Sequence, residues 1–103
     1  RYQVGHTPHV ATEVSVDHRA TAHTVIEVTT RDRPGLLFWL SNTLQEAGLG
    51  ISLAEINTEG TRVADVFYVT DASGAKLEDP ARIEELRRRI LSTVAQLEAL
   101  ETR

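Results

Sequence analysis

The residues best suited to chemistry lie in the segment RDRPGLL, Arg31–Leu37, directly before a run of large apolar residues. A helix that starts here leaves free N–H groups in its first turn, beginning at Gly35 and Leu36 because Pro34 has none, and such groups attract carboxylate oxygens. Gly35 has no Cβ, so the turn is open to close approach, and Asp32 offers a negative charge beside the positive helix end. These groups are complementary to the carboxylate and the ammonium of an α-amino acid. The alternative interpretation is that Pro34 and Gly35 only set the angle between a strand and a helix.

The remaining polar residues do not form a pattern typical of catalysis or metal binding. His6 and His9 have a spacing that metal ligands use, but no acidic or thiol partner is fixed near them, so we expect solvated histidines there and at His18 and His23. The serines have no base at a useful spacing, and the sequence contains no glycine-rich phosphate loop. The sequence therefore predicts no catalytic residue, no metal ion and no cofactor.

Composition is typical of an ordinary globular domain. The chain has 103 residues, of which 41% are hydrophobic and 25% are charged, with a net charge of −4 and no cysteine. The acidic balance argues against a nucleic-acid partner, and no apolar run reaches the roughly 20 residues that span a bilayer. Because no signal peptide is visible and cysteine is absent, we expect a cytoplasmic location. The chain begins with Arg1 and contains no methionine, so we expect it to be a piece of a longer polypeptide.

Hydrophobic periodicity predicts six elements after a linker or tail at residues 1–8, so that residues 9–103 form one domain. Apolar and polar residues alternate in the strands, whereas apolar residues recur every three or four positions in the helices. Gly48 is a natural end for the first helix, and Asp79 with Pro80 is a natural start for the second. The elements are strand Val10–Val16, strand Thr24–Thr30, a helix from Pro34 to about Ala47, strand Ile51–Thr58, a two-residue turn at Glu59–Gly60, strand Arg62–Thr70 and a helix from Pro80 to the C-terminus.

The order ββαββα predicts an α+β fold, a ferredoxin-like sandwich in which a four-stranded antiparallel sheet carries two helices on one face. Such a sandwich normally ends in a strand, but the residues after Asp79 have a helical pattern throughout. We therefore expect Val10–Val16 to replace the usual last strand and to lie antiparallel to Thr24–Thr30 at the edge of the sheet.

The last predicted strand has large apolar residues on both of its faces. They are Val63, Phe67 and Val69 on one face and Val66 and Tyr68 on the other. A sheet that is covered by helices on one face only should be polar on the other. We therefore expect the open face, or an edge strand, to bind a second copy of the chain or a neighbouring domain. RNA-recognition domains also stack bases on aromatic residues of such a sheet, but Phe67 and Tyr68 point to opposite faces, which leaves one of them for stacking.

The stretch Thr24–Leu77 resembles an ACT domain, and more narrowly the last ACT domain of bacterial PII-protein uridylyltransferase/uridylyl-removing enzymes. The Arg-Pro-Gly at Arg33–Gly35 is typical of ACT domains in general. The stretch DVFYVTD, Asp65–Asp71, is typical of the uridylyltransferase group, which also suits an N-terminal strand in place of a C-terminal one. The residues that carry the resemblance are Asp32-Arg33-Pro34-Gly35-Leu36-Leu37, Ile51, Ala54, Ile56, Thr58, Gly60, Val63 and Asp65–Asp71.

This resemblance implies a non-catalytic regulatory domain that binds a small amino acid, glutamine in the uridylyltransferases, within a nitrogen-regulating enzyme whose nucleotidyltransferase centre lies elsewhere. The partner expected at the open sheet face or an edge strand is then a second copy of the chain or a neighbouring ACT domain. Gly50 stands where amino-acid-binding ACT domains often have a polar side chain, so only its backbone is available. The alternatives are an ACT domain of another amino-acid-regulated enzyme, a dimerisation module without a ligand, and an RNA-binding domain. The ligand residues implied by the resemblance are Asp32, Arg33, Pro34, Gly35, Leu36, Gly50 and Ile51.

Overall fold

The order of the secondary-structure elements is ββαββα, which confirms the predicted α+β fold. The structure is a computed structural model that describes residues 10–19 and 22–101, so the predicted tail at residues 1–8 lies outside the described residues. The elements are β1 (Glu13–Asp17), β2 (Thr24–Arg31), α1 (Leu36–Glu46), β3 (Gly50–Glu59), β4 (Arg62–Thr70) and α2 (Pro80–Glu101).

The four strands form one antiparallel sheet in the order β1-β2-β4-β3. Strand β1 pairs with β2, with Val14 opposite Val28, and therefore occupies the edge position predicted for the N-terminal strand. It is shorter than predicted, because the strand begins at Glu13. The preceding residue, Thr12, contacts Thr30 through their two hydroxyl groups, which are 2.8 Å apart.

Both helices pack against one face of the sheet, and the hydrophobic core lies between these two layers. Alternate residues of β2 and β4 are buried, as are every third or fourth residue of the helices, in agreement with the predicted periodicity. Each such side chain contributes roughly 1.5–3 kcal/mol when it leaves water. No helix in the described part of the chain is long and apolar enough to cross a membrane. The buried apolar residues are Val14, Ile26, Val28, Leu36, Leu40, Leu44, Leu49, Val63, Phe67, Val69, Leu77, Leu86, Ile90 and Val94.

Helix α1 begins at Leu36, so the prediction that Pro34 occupies its first turn is wrong. Gly35 adopts a left-handed backbone conformation, with φ of 79°, at the position before the helix. This conformation interrupts the right-handed path that would join Pro34 to the helix, and the Leu36 N–H donates to the Arg33 carbonyl at 3.2 Å. The positive φ explains the glycine, because residues with a Cβ rarely adopt this conformation.

The turn between β3 and β4 consists of Gly60 and Thr61, one residue later than predicted. Glu59 pairs with Arg62 across the hairpin and therefore belongs to the strand. Gly60 has φ of 64° at the first of the two turn positions, a conformation that glycine adopts without strain.

The end of α1 depends on a second left-handed glycine, Gly48, whose φ is 86°. Its N–H donates to the Gln45 carbonyl at 3.0 Å, and the Leu49 N–H reaches the Leu44 carbonyl at 3.1 Å, which together form a Schellman motif. We expect Gly48→Ala to lower the free energy of unfolding by about 1 kcal/mol, measured by urea denaturation. Gly50→Ala is the matched control, because the φ of Gly50 is not left-handed and a Cβ would lie 3.7 Å from its nearest neighbour. A loss of equal size in the control would contradict the role of the positive φ.

Candidate ligand site

A cleft of about 290 Å³ lies between the start of α1 and the outer half of the sheet. One wall is the segment from Asp32 to Phe38, and the other wall is formed by β3 and β4. The cleft therefore joins the predicted loop to two strands that follow it in the chain. Its lining residues are Asp32, Arg33, Gly35, Leu36, Leu37, Phe38, Ile56, Thr58, Val63 and Asp65.

The start of α1 supplies partial positive charge to this cleft. The first N–H groups of a helix have no acceptor within the helix, and the helix dipole adds to their charge. The predicted free amide at Leu36 is occupied by the Arg33 carbonyl, but the amides of Leu37 and Phe38 have no hydrogen bond to any described residue. Both residues line the cleft, so its loop wall carries unpaired donors that suit an anionic group.

The opposite wall supplies a buried carboxylate, that of Asp65. This residue lies on the face of β4 that also carries Val63 and Phe67, and only 2% of it is exposed. Its Oδ2 atom has no hydrogen-bond partner in the described part of the chain. Burial, and secondarily the charge of Asp32, raise the pKa of Asp65 to about 6. The Asp65 side chain is therefore a buried acceptor that lacks a donor.

Arg33 also lines the cleft, but its guanidinium group is already paired. Its side chain is 2% exposed, and its Nε and Nη2 atoms lie 3.3 Å and 3.4 Å from the carboxylates of Glu101 and Glu98 on α2. Its Nη1 atom donates to the Thr30 hydroxyl at 3.3 Å. Arg33 therefore fixes the loop to α2 and does not neutralise Asp65.

The structure brings four of the seven predicted ligand residues to the cleft, namely Asp32, Arg33, Gly35 and Leu36. Pro34 lies in the same turn, between two of them. Gly50 and Ile51 lie at the start of β3, roughly 17 to 20 Å along the strand from Ile56, which lines the cleft. Their assignment to a ligand site stays a prediction.

The strand wall was not predicted from the sequence, although one of its residues carries a signal. On the buried face of β4, Asp65 is a charged residue between Val63 and Phe67. A charge at a position that the pattern assigns to the core indicates either a buried partner or a functional site. Ile56 and Thr58 carry no such signal, because β3 is an edge strand whose residues are nearly all exposed.

Other depressions lie among the described residues. One of about 250 Å³ lies between the end of α1 and the start of α2, lined mainly by apolar side chains together with Arg82, Glu85 and Arg89. It contains no buried polar side chain that lacks a partner, at least within the described ranges. His6 and His9 lie outside the described residues, and no group of three described His, Asp or Glu side chains could hold a metal ion.

The chain matches a known family over most of its length. Residues 19–97 match the family model of the ACR family N-terminal ACT domain. No solved structure gives a significant match to the chain.

Several similar curated relatives share one name, bifunctional uridylyltransferase/uridylyl-removing enzyme. The protein from Gluconobacter oxydans is 48% identical over 87 residues, which are 84% of this chain and 9% of the relative. Those from Azospirillum brasilense and Phenylobacterium zucineum are 46% and 42% identical over 88 and 87 residues, again 84% of this chain and 9% of each relative. The chain thus spans less than a tenth of the length of these three relatives. Correspondence to their last ACT domain stays a prediction.

Proposed function

Since the chain belongs to the ACT domain family, we propose that it is a non-catalytic regulatory domain that senses a small amino acid, with glutamine as the expected ligand. We also propose that it works within a nitrogen-regulating enzyme of the cytoplasm. The name of its relatives supports the choice of a uridylyltransferase/uridylyl-removing enzyme. The uridylyltransferase and uridylyl-removing reactions then belong to other parts of that enzyme.

The observation that supports amino-acid sensing is that unpaired donors on one wall of the cleft lie across from an unpaired acceptor on the other wall. Leu37 and Phe38, whose amides are unpaired, line the same cleft as Asp65, whose Oδ2 atom has no partner among the described residues. A ligand carboxylate is complementary to the amides, and a ligand ammonium is complementary to Asp65. An α-amino acid carries both groups close together and can satisfy both walls at once.

A dimerisation module without a ligand is the alternative function, and exposed apolar residues favour it. A β-bulge near the start of β3 places Leu53 opposite Tyr68, so Leu53 is on the open face of the sheet and is 51% exposed. On the helix side of the same strand, Ile56 is 52% exposed. We propose that the chain pairs with a second copy or with a neighbouring ACT domain through the open face or through the edge strand β3. Pairing and sensing are compatible, so ligand binding, and not oligomeric state, separates the two functions.

Blocking the cleft from its strand wall tests amino-acid sensing. We expect the wild-type chain to bind glutamine in a calorimetric titration, and Ile56→Trp to weaken this binding at least about tenfold because the indole fills the cleft. Leu53→Trp is the matched control, since Leu53 lies on the same strand with nearly the same exposure but on the opposite face of the sheet. Both positions are exposed, so each variant should keep its free energy of unfolding within about 0.5 kcal/mol.

Two results would contradict this proposal in different ways. If neither glutamine nor any other amino acid binds at millimolar concentration, the sensing function is wrong and the dimerisation function remains. If glutamine binds but both tryptophan variants weaken it equally, the ligand lies outside this cleft. An oligonucleotide titrated in parallel tests the prediction that the chain binds no nucleic acid.

A further inference from the structure

Two carboxylates are available to a ligand in the cleft, and they differ in burial. Asp32 is exposed, and its backbone N–H donates to the Thr61 carbonyl at 2.7 Å, which fixes its place on the loop wall. Asp65 is buried on the strand wall, and its Oδ2 atom has no partner among the described residues. The two side chains are close enough for the charge of Asp32 to contribute to the raised pKa of Asp65.

No cation in the described part of the chain pairs with Asp65. The buried guanidinium of Arg33 is committed to Glu98 and Glu101 on α2. The residues opposite Asp65 on the two neighbouring strands are Val28 and Ile56, which are both apolar. An ionised carboxylate can only accept hydrogen bonds, and a buried one without donors destabilises the fold. The missing donor can come from a molecule that enters the cleft.

We propose that Asp65 binds the α-ammonium group of the ligand, and that Asp65 together with Asp32 makes the cleft select amino acids with uncharged side chains over acidic ones. This inference rests on the proposed sensing function and names the residue that recognises the ligand. The sequence alone favours Asp32 for this role. The structure favours Asp65, because this carboxylate is buried and an ion pair is stronger where water is excluded.

Selectivity against acidic amino acids follows from the charges around the cleft. The ligand ammonium offsets one of the two carboxylates, and the ligand α-carboxylate takes the amides of Leu37 and Phe38. A carboxylate in the ligand side chain would then add a negative charge next to Asp32 and Asp65, and like charges in a partly buried site lower affinity. An uncharged carboxamide adds no such repulsion, so glutamine should bind more tightly than glutamate.

A double-mutant-style cycle tests whether Asp65 binds the ligand ammonium, because it removes the charge of Asp65 and the charge of the ligand ammonium in turn. The ligands are glutamine and glutaramate, which is glutamine without its α-ammonium group, and the proteins are the wild type and Asp65→Asn. Binding is measured by NMR chemical-shift titration at about pH 8, where Asp65 is ionised. We expect the wild type to bind glutamine at least about tenfold more tightly than glutaramate, and the Asp65→Asn ratio to fall below about threefold. Asp32→Asn should keep a ratio above about fivefold.

Each other outcome overturns a defined part of the proposal. If Asp65→Asn weakens glutamine and glutaramate by the same factor, Asp65 does not bind the ammonium, although sensing stands. If the glutamine-to-glutaramate affinity ratio falls below about threefold in Asp32→Asn and not in Asp65→Asn, Asp32 binds the ammonium and Asp65 does not. If the wild type binds glutamate as tightly as glutamine, the selectivity is wrong. If the wild type binds no amino acid, both sensing and the role of Asp65 are wrong.

Discussion

Replacing Asp65 with asparagine should make the folded domain more stable at neutral pH, by about 1 to 3 kcal/mol. Burial, with a smaller contribution from the charge of Asp32, raises the pKa of the Asp65 carboxyl from 3.8 to about 6. Ionising this carboxyl in the folded state therefore costs up to about 3 kcal/mol, and asparagine removes the charge while keeping nearly the same shape. Most substitutions at buried positions destabilise, so a gain in stability is a specific result. Urea denaturation of the two proteins without ligand measures it.

This gain should depend on pH with a definite sign. Between about pH 4 and pH 6 the folded wild type keeps a proton on Asp65 that the unfolded chain has lost, so wild-type stability falls as pH rises through this window. Below about pH 4 the carboxyl is protonated in both states, and the two proteins should differ by less than about 0.5 kcal/mol. Comparing the two proteins cancels the opposite contributions of Asp17, Asp71 and Glu101, whose pKa values are lowered.

Asp32→Asn is the matched control, because it makes the same change of charge and shape on the exposed side of the cleft. Its effect on stability should be about 0.5 kcal/mol or less, since an exposed charge is well solvated. A loss of stability in Asp65→Asn at neutral pH would contradict the prediction, because it would mean that a group in the folded domain stabilises the Asp65 charge. A gain would indicate that Asp65 is kept at the expense of stability, as functional residues often are.

The fold was largely predictable because its elements depend on short-range patterns. Strand β4 matches its predicted bounds, Arg62–Thr70, since its alternation runs between two turns. The two errors in backbone path, at Pro34 and at Glu59–Gly60, both arise where one glycine has a positive φ. A sequence shows that a glycine is present, but the sign of its φ depends on how the flanking elements meet. The opening interpretation of Gly35 changes accordingly, because its φ of 79° is enough to require glycine without any ligand.

The candidate site was predictable only on its loop wall, where the residues from Asp32 to Leu36 are contiguous in the sequence. The strand wall comes from residues much further along the chain, and the sheet order β1-β2-β4-β3 decides that they face this loop. Alternation in β4 places Asp65 on the buried face of that strand, but the sequence analysis did not use this signal. No local pattern could show that Arg33 contacts Glu98 and Glu101, which are 65 and 68 residues further on.

Arg33 and Arg31 share an acceptor on α2, and the difference between them isolates the effect of burial. The Arg33 side chain is 2% exposed and bonds Glu98 and Glu101, whereas the Arg31 side chain is 26% exposed and bonds the other carboxylate oxygen of Glu101. Burial tends to raise the pKa of Glu101, but the hydrogen bond from Arg31 and the charges of both arginines outweigh it and lower that pKa. The position of the loop therefore depends on the end of α2.

Replacing Arg33 should lower the free energy of unfolding far more than replacing Arg31, whose side chain is more exposed. We expect Arg33→Met to lower the free energy of unfolding by about 2 to 3 kcal/mol, because methionine keeps most of the apolar stem but loses the charge-assisted hydrogen bonds to both glutamates. Arg31→Met removes a bond to the same Glu101, yet should cost about 1 kcal/mol or less because that pair is only partly buried and water screens its charges. Urea denaturation without ligand at neutral pH measures both variants. Equal losses would contradict the prediction. They would mean that burial of Arg33 adds nothing to the free energy with which the loop binds α2.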